Sequence, residues 1–421
     1  MNHFRISLIH PTGNPNVRNA AVALAEWGVL QEIITTLAYD PNGQIAAFLQ
    51  RLPPSLANPL ARELARRTWI APSGVVLRTY PARELLRVAL MRLGIARGLR
   101  LNPQSLTDWI YTALDRAVAR RHLSGITGVY AYEDGAADTF AVAKERDILC
   151  FYDLPIVFYR QSCQIQAEER DRFPELASAL QSTREPAWKL ERKEREIQLA
   201  DRILVASSIV KQSLLNVGVL PEKISVIPFG SPCNYFSPHP KTDTTFRALF
   251  VGRVGPRKGV HYLFRAWRKL NLPNAELLCV GFNEFPSAWL SQYQDAFNYI
   301  PSVPHASLQE YYNRADVFVF PSLVEGLALV LLEAMACGLP IITTTHSGGS
   351  DIITDGVEGF IIPIRDAIAL EEKLEWCYSH PAELAEMGRA ARRKAEVLTW
   401  ELYRERLRDC IAEVLSARAS S

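Results

Sequence analysis

Apolar and polar positions along the chain follow two alternating rhythms. Short runs of β-branched and aromatic residues predict buried strands at Phe4–Ile9, Glu32–Thr36, Val129–Tyr132, Ile148–Phe151, Arg202–Val205 and Ile224–Ile227 in the first half. The second half adds Arg247–Val251, Glu276–Val280, Val317–Phe320 and Ile341–Thr344. Between these runs, apolar residues recur at helical spacing. They predict helices over Asp108–Arg121, Glu185–Ala200, Gly259–Leu270, Leu308–Ala315, Ala328–Ala336, Ala367–Tyr378 and Ala382–Ala395. One amphipathic helix is expected over Glu84–Leu99. A last one follows the N-cap candidate Thr399, with Trp400, Tyr403, Leu407, Cys410, Ile411, Val414 and Leu415 on one face.

Strands alternating with helices call for parallel sheets covered by helices. Two such halves predict an α/β chain of two Rossmann-like, doubly wound domains, with the ligand crevice at the carboxyl ends of the strands. The segment Pro228–Thr245 is dense in Pro, Ser and Thr and has no apolar period, so it reads as the linker. The boundary is placed at 235/236. A length of 421 residues fits two cores better than one.

A hydrophobic content of 48% and a charged content of 22% are those of a soluble globular protein, and a net charge of +2 gives no reason to expect a nucleic-acid partner. The seven cysteines form no C-x-x-C pair and read as buried, reduced thiols of a cytoplasmic protein. The opening MNHFRISLIHPTGN reads as a first strand and turn rather than a signal peptide, and no run is long enough to span a bilayer. Local charge is less even. Arg62, Arg66, Arg67, Arg78, Arg83, Arg87, Arg92, Arg97, Arg100, Arg116, Arg120 and Arg121 outnumber the acids around them. Basic amphipathic helices lie on anionic membranes, and they also pack on cores with their arginines snorkelling outward; both readings stay open.

The densest chemistry lies in Val317–Ile342, VFVFPSLVEGLALVLLEAMACGLPII. A strand ends at Pro321-Ser322, Gly326 allows a sharp loop or a close approach to a ligand, and a helix follows until Gly338 and Pro340. Such a unit points helix N–H groups at the sheet edge, which suits an anion. Glu325 and Glu333 would accept hydrogen bonds from sugar or ribose hydroxyls. A second element, VGRVGPRKG at Val251–Gly259, carries Arg253, Arg257 and Lys258 at a strand's carboxyl end, as a diphosphate clamp would or as a basic surface turn would. A third, SGGSDII, holds the Gly348-Gly349 turn.

Taken together, the PS, EG and EAMACGLP segments around Glu325 and Glu333 closely resemble the E-x7-E signature of the retaining GT-B glycosyltransferases, the family called glycosyl transferases group 1. VGRVGPRKG is similar to that family's G-R-x-x-x-x-K-G element. The resemblance covers about Val205–Asp366 and thins before it. It implies a GT-B fold, two Rossmann-like domains facing a central cleft: an acceptor-binding domain over 1–235, a nucleotide-sugar-binding domain over 236–398, and a final helix at 399–417 packing back on the first. It implies that Glu325 lies near the transferred sugar, that Glu333 binds the ribose, and that Arg253 and Lys258 neutralise the diphosphate, with Arg257 a third contact or a solvent-facing charge. Gly326, Leu327, Ala328, Leu329, Gly348 and Gly349 would line the donor site. On the acceptor side it points to the loop with Gly13, Asn14 and Arg18, and to Tyr132, Glu133 and Asp134. Many relatives have a His near the end of that strand where this chain has Tyr130 and Tyr132. As an alternative, Glu133 and Asp134 would only cap the following helix.

The implied activity is transfer of a sugar from a nucleotide-diphosphate sugar to a hydroxyl of a glycan or lipid-linked acceptor, with retention of configuration. No Asp-x-Asp pair occurs in the chain, so no metal and no cofactor are expected. Peripheral contact with the inner membrane surface is a further expectation. The competing readings are a non-catalytic sugar-nucleotide-binding subunit and another GT-B enzyme such as a sugar-nucleotide epimerase.

Overall fold

The computed structural model describes residues 4–51, 53–65, 67–92, 94–99, 101–180 and 185–419. Its strands are β1 (Ile6–Ile9), β2 (Leu30–Thr35), β3 (Val76–Thr79), β4 (Gly128–Tyr132), β5 (Leu149–Leu154), β6 (Arg202–Val205) and β7 (Ile224–Val226), then β8 (Phe246–Val251), β9 (Ala275–Val280), β10 (Asn298–Ile300), β11 (Val317–Phe320), β12 (Ile341–Thr344) and β13 (Gly359–Ile362). They form a seven-stranded sheet of order β3-β2-β1-β4-β5-β6-β7 and a six-stranded sheet of order β10-β9-β8-β11-β12-β13. The described ladders are parallel. Central strands such as β4 and β11 are buried at every position, which is why they read as unbroken apolar runs.

Three strands escaped the sequence reading: β3, β10 and β13. All three lie at sheet edges. β3 and β10 leave most of their side chains at least partly exposed, so neither carries a continuous apolar run. The helix expected over Glu84–Leu99 is two: Pro81–Arg92 and Ile95–Gly98. Gly94, at φ 72° in the left-handed region, separates them. Of the arginine-rich positions, Arg66 and Arg100 lie outside the described residues.

The chain divides into two compact units, one of Met1–Asp153, Ala187–Leu204 and Arg404–Ser421, the other of Leu154–Pro186 and Val205–Tyr403. This division does not coincide with a boundary at 235/236, because residues 154–186 and 205–235 fall in the second unit. The final helix, Trp400–Ala419, starts at Thr399, whose hydroxyl accepts from Leu402 N at 3.1 Å. Within the first unit Arg404 on this helix donates to Asn19 Oδ1 at 3.0 Å and pairs with Glu26 at 3.5 Å.

The first unit buries many charges, and they have a structural task. The helix Ala137–Glu145 begins without a side-chain cap from its own N-cap residue. Two fully buried carboxylates from elsewhere in the chain supply the missing acceptors. Glu196 accepts from Ala136 N at 3.0 Å and Ala137 N at 3.2 Å, and Asp115 accepts from Asp138 N and Thr139 N at 2.8 Å each. Arg192 pairs with Asp115 and with Asp138. Burial raises Glu196 to about 8 and lifts Asp115 as well.

Asp115→Ala would leave two helix N–H groups unpaired in the interior and take from Arg192 its fully buried partner, leaving it Asp138 at a less buried position. It should lower the unfolding free energy by roughly 3–5 kcal/mol. A urea titration giving a loss below about 1 kcal/mol, the range of a surface ion pair, would contradict this account of the helix start.

Candidate functional site

In the second sheet the strand order runs outward from β8 through β9 and β10 on one side and from β11 through β12 and β13 on the other. The reversal between β8 and β11 is a topological switch point, where the loops leaving two parallel strands part and open a crevice. These loops are the basic Gly252–Gly259 and the carboxylate-bearing Pro321–Ala328. They meet directly: Leu323 N donates to Arg257 O at 3.0 Å. Gly259, at φ 67°, passes so close to Pro321 that a β-carbon there would sit 2.0 Å from its carbonyl oxygen.

Their side chains converge on one carboxylate. Lys258, buried in the short 3-10 turn Pro256–Lys258, donates to Glu325 Oε2, and its ammonium also lies 5.0 Å from the centre of the Phe320 ring. Arg257 donates to Val324 O at 2.8 Å and to Glu325 Oε2 at 3.4 Å. Burial pushes Lys258 down to about 8 against the opposing pull of Glu325. Burial pushes Glu325 the other way, yet Lys258 and Arg257 outweigh it and hold the carboxyl below its usual range. Arg257 is therefore engaged in this cluster rather than turned to solvent. Arg253 stands apart, 57% exposed and paired with Glu284.

The glycines of the carboxylate loop have a steric cause within the protein. A β-carbon at Gly326 would lie 1.9 Å from Pro155 O, and Gly326 O accepts from Ser207 Oγ at 2.7 Å. Gly348, at φ 77°, would place a β-carbon 2.2 Å from Gly326 O, and Gly349 would place one 2.6 Å from Thr343 Cγ2. Close packing within the protein accounts for glycine at these positions. Ala328 N donates to Ser347 O at 3.3 Å, which ties the Gly348-Gly349 turn to the start of the helix Leu329–Ala336. Leu327 and Ala328 are buried there, and Leu329 is partly buried.

Glu333, on the same helix, does not face the basic loop's cations. It accepts from Tyr312 Oη at 2.8 Å and shares a 2.8 Å hydrogen bond with His305 Nε2. The Glu333 carboxylate raises His305, whose side chain is 65% exposed and packs edge-on against Phe236 at 5.3 Å. His305 follows β10 at the same carboxyl edge. The sequence reading missed it together with Tyr312 and Glu284. Its signal was hidden because β10, a three-residue edge strand, was itself unread.

In the first sheet the order reverses between β1 and β4, and the acceptor-side candidates lie at the end of β4 or follow these two strands. Gly13 lies against Trp69, where a β-carbon would meet the indole ring at 2.6 Å. Asn14 caps the helix Pro15–Glu26, accepting from Val17 N at 3.1 Å. Arg18 is half-buried with Nε unpaired. Tyr132 is buried with its ring 4.7 Å from His10, edge-on. Its hydroxyl and that of Tyr130 act on Asp153, which burial lifts to about 7 against those hydrogen bonds. His10 is driven down to about 4 by burial, so it is neutral at physiological pH. Glu133 pairs with Lys193 at 3.3 Å and Asp134 with Lys189 at 3.0 Å, and neither carboxylate is the cap of the following helix. Among the described residues no group of three or more His, Cys, Asp or Glu is arranged to hold a metal.

Two parallel-sheet α/β domains, built on sheets of seven and six strands, make the GT-B fold. Solved structures agree on the fold. The chain superimposes on sucrose-phosphate synthase from Thermosynechococcus elongatus with a TM-score of 0.65 at 20% identity, covering 98% of this chain and 100% of that one. With Anabaena HepE, solved in complex with UDP-glucose, the TM-score is 0.59 at 14% identity, over 99% of this chain and 100% of that one. Residues 234–394 match the family described as Glycosyl transferases group 1. Among curated relatives it is 27% identical over 258 residues to a D-inositol 3-phosphate glycosyltransferase of Streptosporangium roseum, covering 55% of this chain and 59% of that protein. It is 30% identical over 212 residues to WcaL of Escherichia coli, named for colanic acid biosynthesis, over 47% and 52%. The chain thus spans little more than half the length of the curated relatives it matches.

Gly326→Ala forces a β-carbon against the Pro155 carbonyl and should cost about 1–3 kcal/mol of stability. Gly98→Ala, where a β-carbon meets nothing within 4 Å, should leave the melting temperature unchanged. Equal melting temperatures for both variants would mean that the Gly326–Pro155 approach is not required.

Proposed function

We propose that this protein is a glycosyltransferase that moves a sugar from a nucleotide-diphosphate sugar to a hydroxyl acceptor, with retention of configuration and without a metal. The observation that carries this reading is the convergence of Lys258 and Arg257 on Glu325 at the reversal between β8 and β11. Glu325 is the counter-ion of both cations. A diphosphate entering the crevice takes over that role, because phosphate oxygens bind ammonium and guanidinium at least as well as a carboxylate does. Glu325 is then released to accept hydrogen bonds from the sugar. Lys258, with Arg253 swung from Glu284, stabilises the charge that grows on the leaving diphosphate. Glu333 holds the ribose, exchanging the exposed His305 for ribose hydroxyls while keeping Tyr312. The named relatives are glycosyltransferases and HepE was solved with UDP-glucose, which supports this class of reaction and donor. The acceptor hydroxyl belongs to a glycan or a lipid-linked compound, and the first unit receives it. No described helix is long and apolar enough to cross a membrane; the reading includes a cytoplasmic location with peripheral contact between the arginine-rich segment and the inner membrane surface.

A thermal-shift screen against a panel of sugar nucleotides identifies the donor, since a ligand bound only to the folded state raises the melting temperature. With that donor, Arg253→Ala or Lys258→Ala should lower turnover by on the order of 10²-fold or more. Near-normal transfer by both would sink the clamp, and a strict need for added magnesium would sink the metal-free reading. Release of nucleotide without a glycosylated product, over a broad acceptor panel, would point to a non-transferring protein.

Donor affinity should also report the state of Lys258. The protonated ammonium binds the diphosphate, and its pKa in the free protein is about 8. Affinity should be flat below that value and fall by up to about tenfold between pH 7 and pH 9. Calorimetry showing the same pH profile for Lys258→Arg, which stays charged throughout, would assign the titration to another group. Glu333→Gln should weaken binding of the bare nucleotide by roughly 1.5–3 kcal/mol, whereas Glu325→Gln should act mainly on turnover.

A further inference from the structure

The first unit contains a cavity of about 740 Å³ at the carboxyl ends of β2 and β3, walled by the helices Pro81–Arg92 and Pro103–Arg121. Its wall is apolar, with Leu85, Ile110, Ala113, Leu114 and Ala117. Tyr80 contributes a ring whose hydroxyl is already engaged: Tyr80 Oη lies 2.7 Å from His122 Nε2, and His122 Nδ1 lies 3.1 Å from Glu32 Oε1. An aliphatic chain placed against that ring would strip water from no unpaired hydroxyl. The rim is cationic. Arg83, Arg116, Arg120 and Arg121 line the cavity, and none of the described lining residues is acidic. Arg116 reaches Asp138 only at 3.7 Å from an exposed position, and Arg83 stacks on Trp109 with a 4.4 Å approach. Arg120 and Arg121 have no acidic partner among the described residues.

A second cavity, of about 520 Å³, shares Ile110 with the first and extends to Thr12, Gly13 and Asn14 in the loop after β1. Its wall is mixed: Leu37 and Ile110 stand beside an ion cluster in which Glu84 is gripped by Arg67 at 2.5 Å and Arg87 at 2.7 Å. The two cavities are neighbours across Ile110: the first is apolar with an arginine rim, and the second borders the strand-order reversal between β1 and β4. Their sizes suit a chain in one and a polar group in the other.

We propose that the larger cavity binds the aliphatic chain and phosphate of a lipid phosphate, with Arg116, Arg120 and Arg121 on the phosphate and Leu85, Ile110 and Leu114 on the chain. Charge complementarity selects this occupant: an apolar wall alone would take any chain, and an arginine rim alone any anion, whereas only an anionic amphiphile satisfies both. Its place as the carrier end of the acceptor rests on the glycosyltransferase reading, with the hydroxyl to be glycosylated in the smaller cavity. The binding itself is measured without that reading.

The test is titration of the full chain with decyl phosphate below its micelle concentration, beside inorganic phosphate and decyl maltoside. Saturable binding of decyl phosphate at least tenfold tighter than either control is expected. Arg120→Gln combined with Arg121→Gln, a surface change that leaves the core intact, should weaken it at least tenfold. Ala117→Trp, which fills the cavity, should do the same, and the donor-induced thermal shift should stay unchanged in both. Equal binding of decyl maltoside, absence of saturable binding, or binding insensitive to both variants would overturn the proposal. So would adsorption to anionic vesicles without uptake of monomeric decyl phosphate, which would make the arginines a membrane-facing surface. If decyl phosphate binds as described and no sugar nucleotide does, the cavity assignment stands and the transferase reading falls.

Discussion

The candidate donor site depends on the pairing of Lys258 with Glu325. Burying an ammonium costs free energy, and here that cost is visible as a pKa lowered to about 8. The pairing recovers part of it and also holds two loops together at the point where the strand order of the sheet reverses. Arg257 adds a second link, to Glu325 and to the backbone of Val324. The glycines at 259, 326 and 348 let the backbones come close enough for these side chains to meet. Removing the charge pair would leave the loops with steric fit but without the force that aims them at one another. A pair in which burial weakens one partner is also one that a better counter-ion can enter.

Much of this second domain was legible because its determinants are local. β11, the carboxylate loop, the helix Leu329–Ala336 and β12 follow one another in the chain, so strand period, turn residues and helix stop all fall in one window. The basic loop was legible for the same reason. What could not be read was the pairing. That Arg257 and Lys258 would reach Glu325, while Glu333 would turn to Tyr312 and His305, depends on helix rotation and on an edge strand that carries no apolar signature. The reason for Gly326 was hidden as well, because the obstructing atom belongs to Pro155, far away in sequence.

The first domain was less legible because its chemistry is assembled from distant segments. The turn Glu133-Asp134 reads as a free pair of carboxylates. In the fold it meets Lys189 and Lys193 from a helix more than fifty residues later, while Asp115 and Glu196 satisfy the helix start. Asp134 adopts φ 68°, a conformation held by the surrounding bonds rather than by its own preference. No local pattern announces such a network. The strands β1, β4 and β5 were visible, and the ionic lattice that orients the loops after them was not.

The two strand-order reversals use charge differently, and on the proposed reading that difference assigns their roles. In the first domain the charged groups at the β4 turn are committed to one another and to helix N–H groups, so a ligand has little to gain by displacing them. In the second domain the cations share one carboxylate, and Arg253 is held by Glu284 at an exposed site where swinging away costs little. Two cations on one anion leave a surplus positive charge before any ligand arrives. On the proposed reading a diphosphate is drawn to that surplus, and its arrival frees Glu325 at the moment a sugar needs a hydrogen-bond acceptor. The domain able to exchange its counter-ions is the one suited to the charged donor. On the same reading the fixed ionic frame at the β4 turn suits the acceptor's neutral hydroxyl, which needs rigid positioning more than charge, while any charge on the acceptor is met by the arginines elsewhere in that domain.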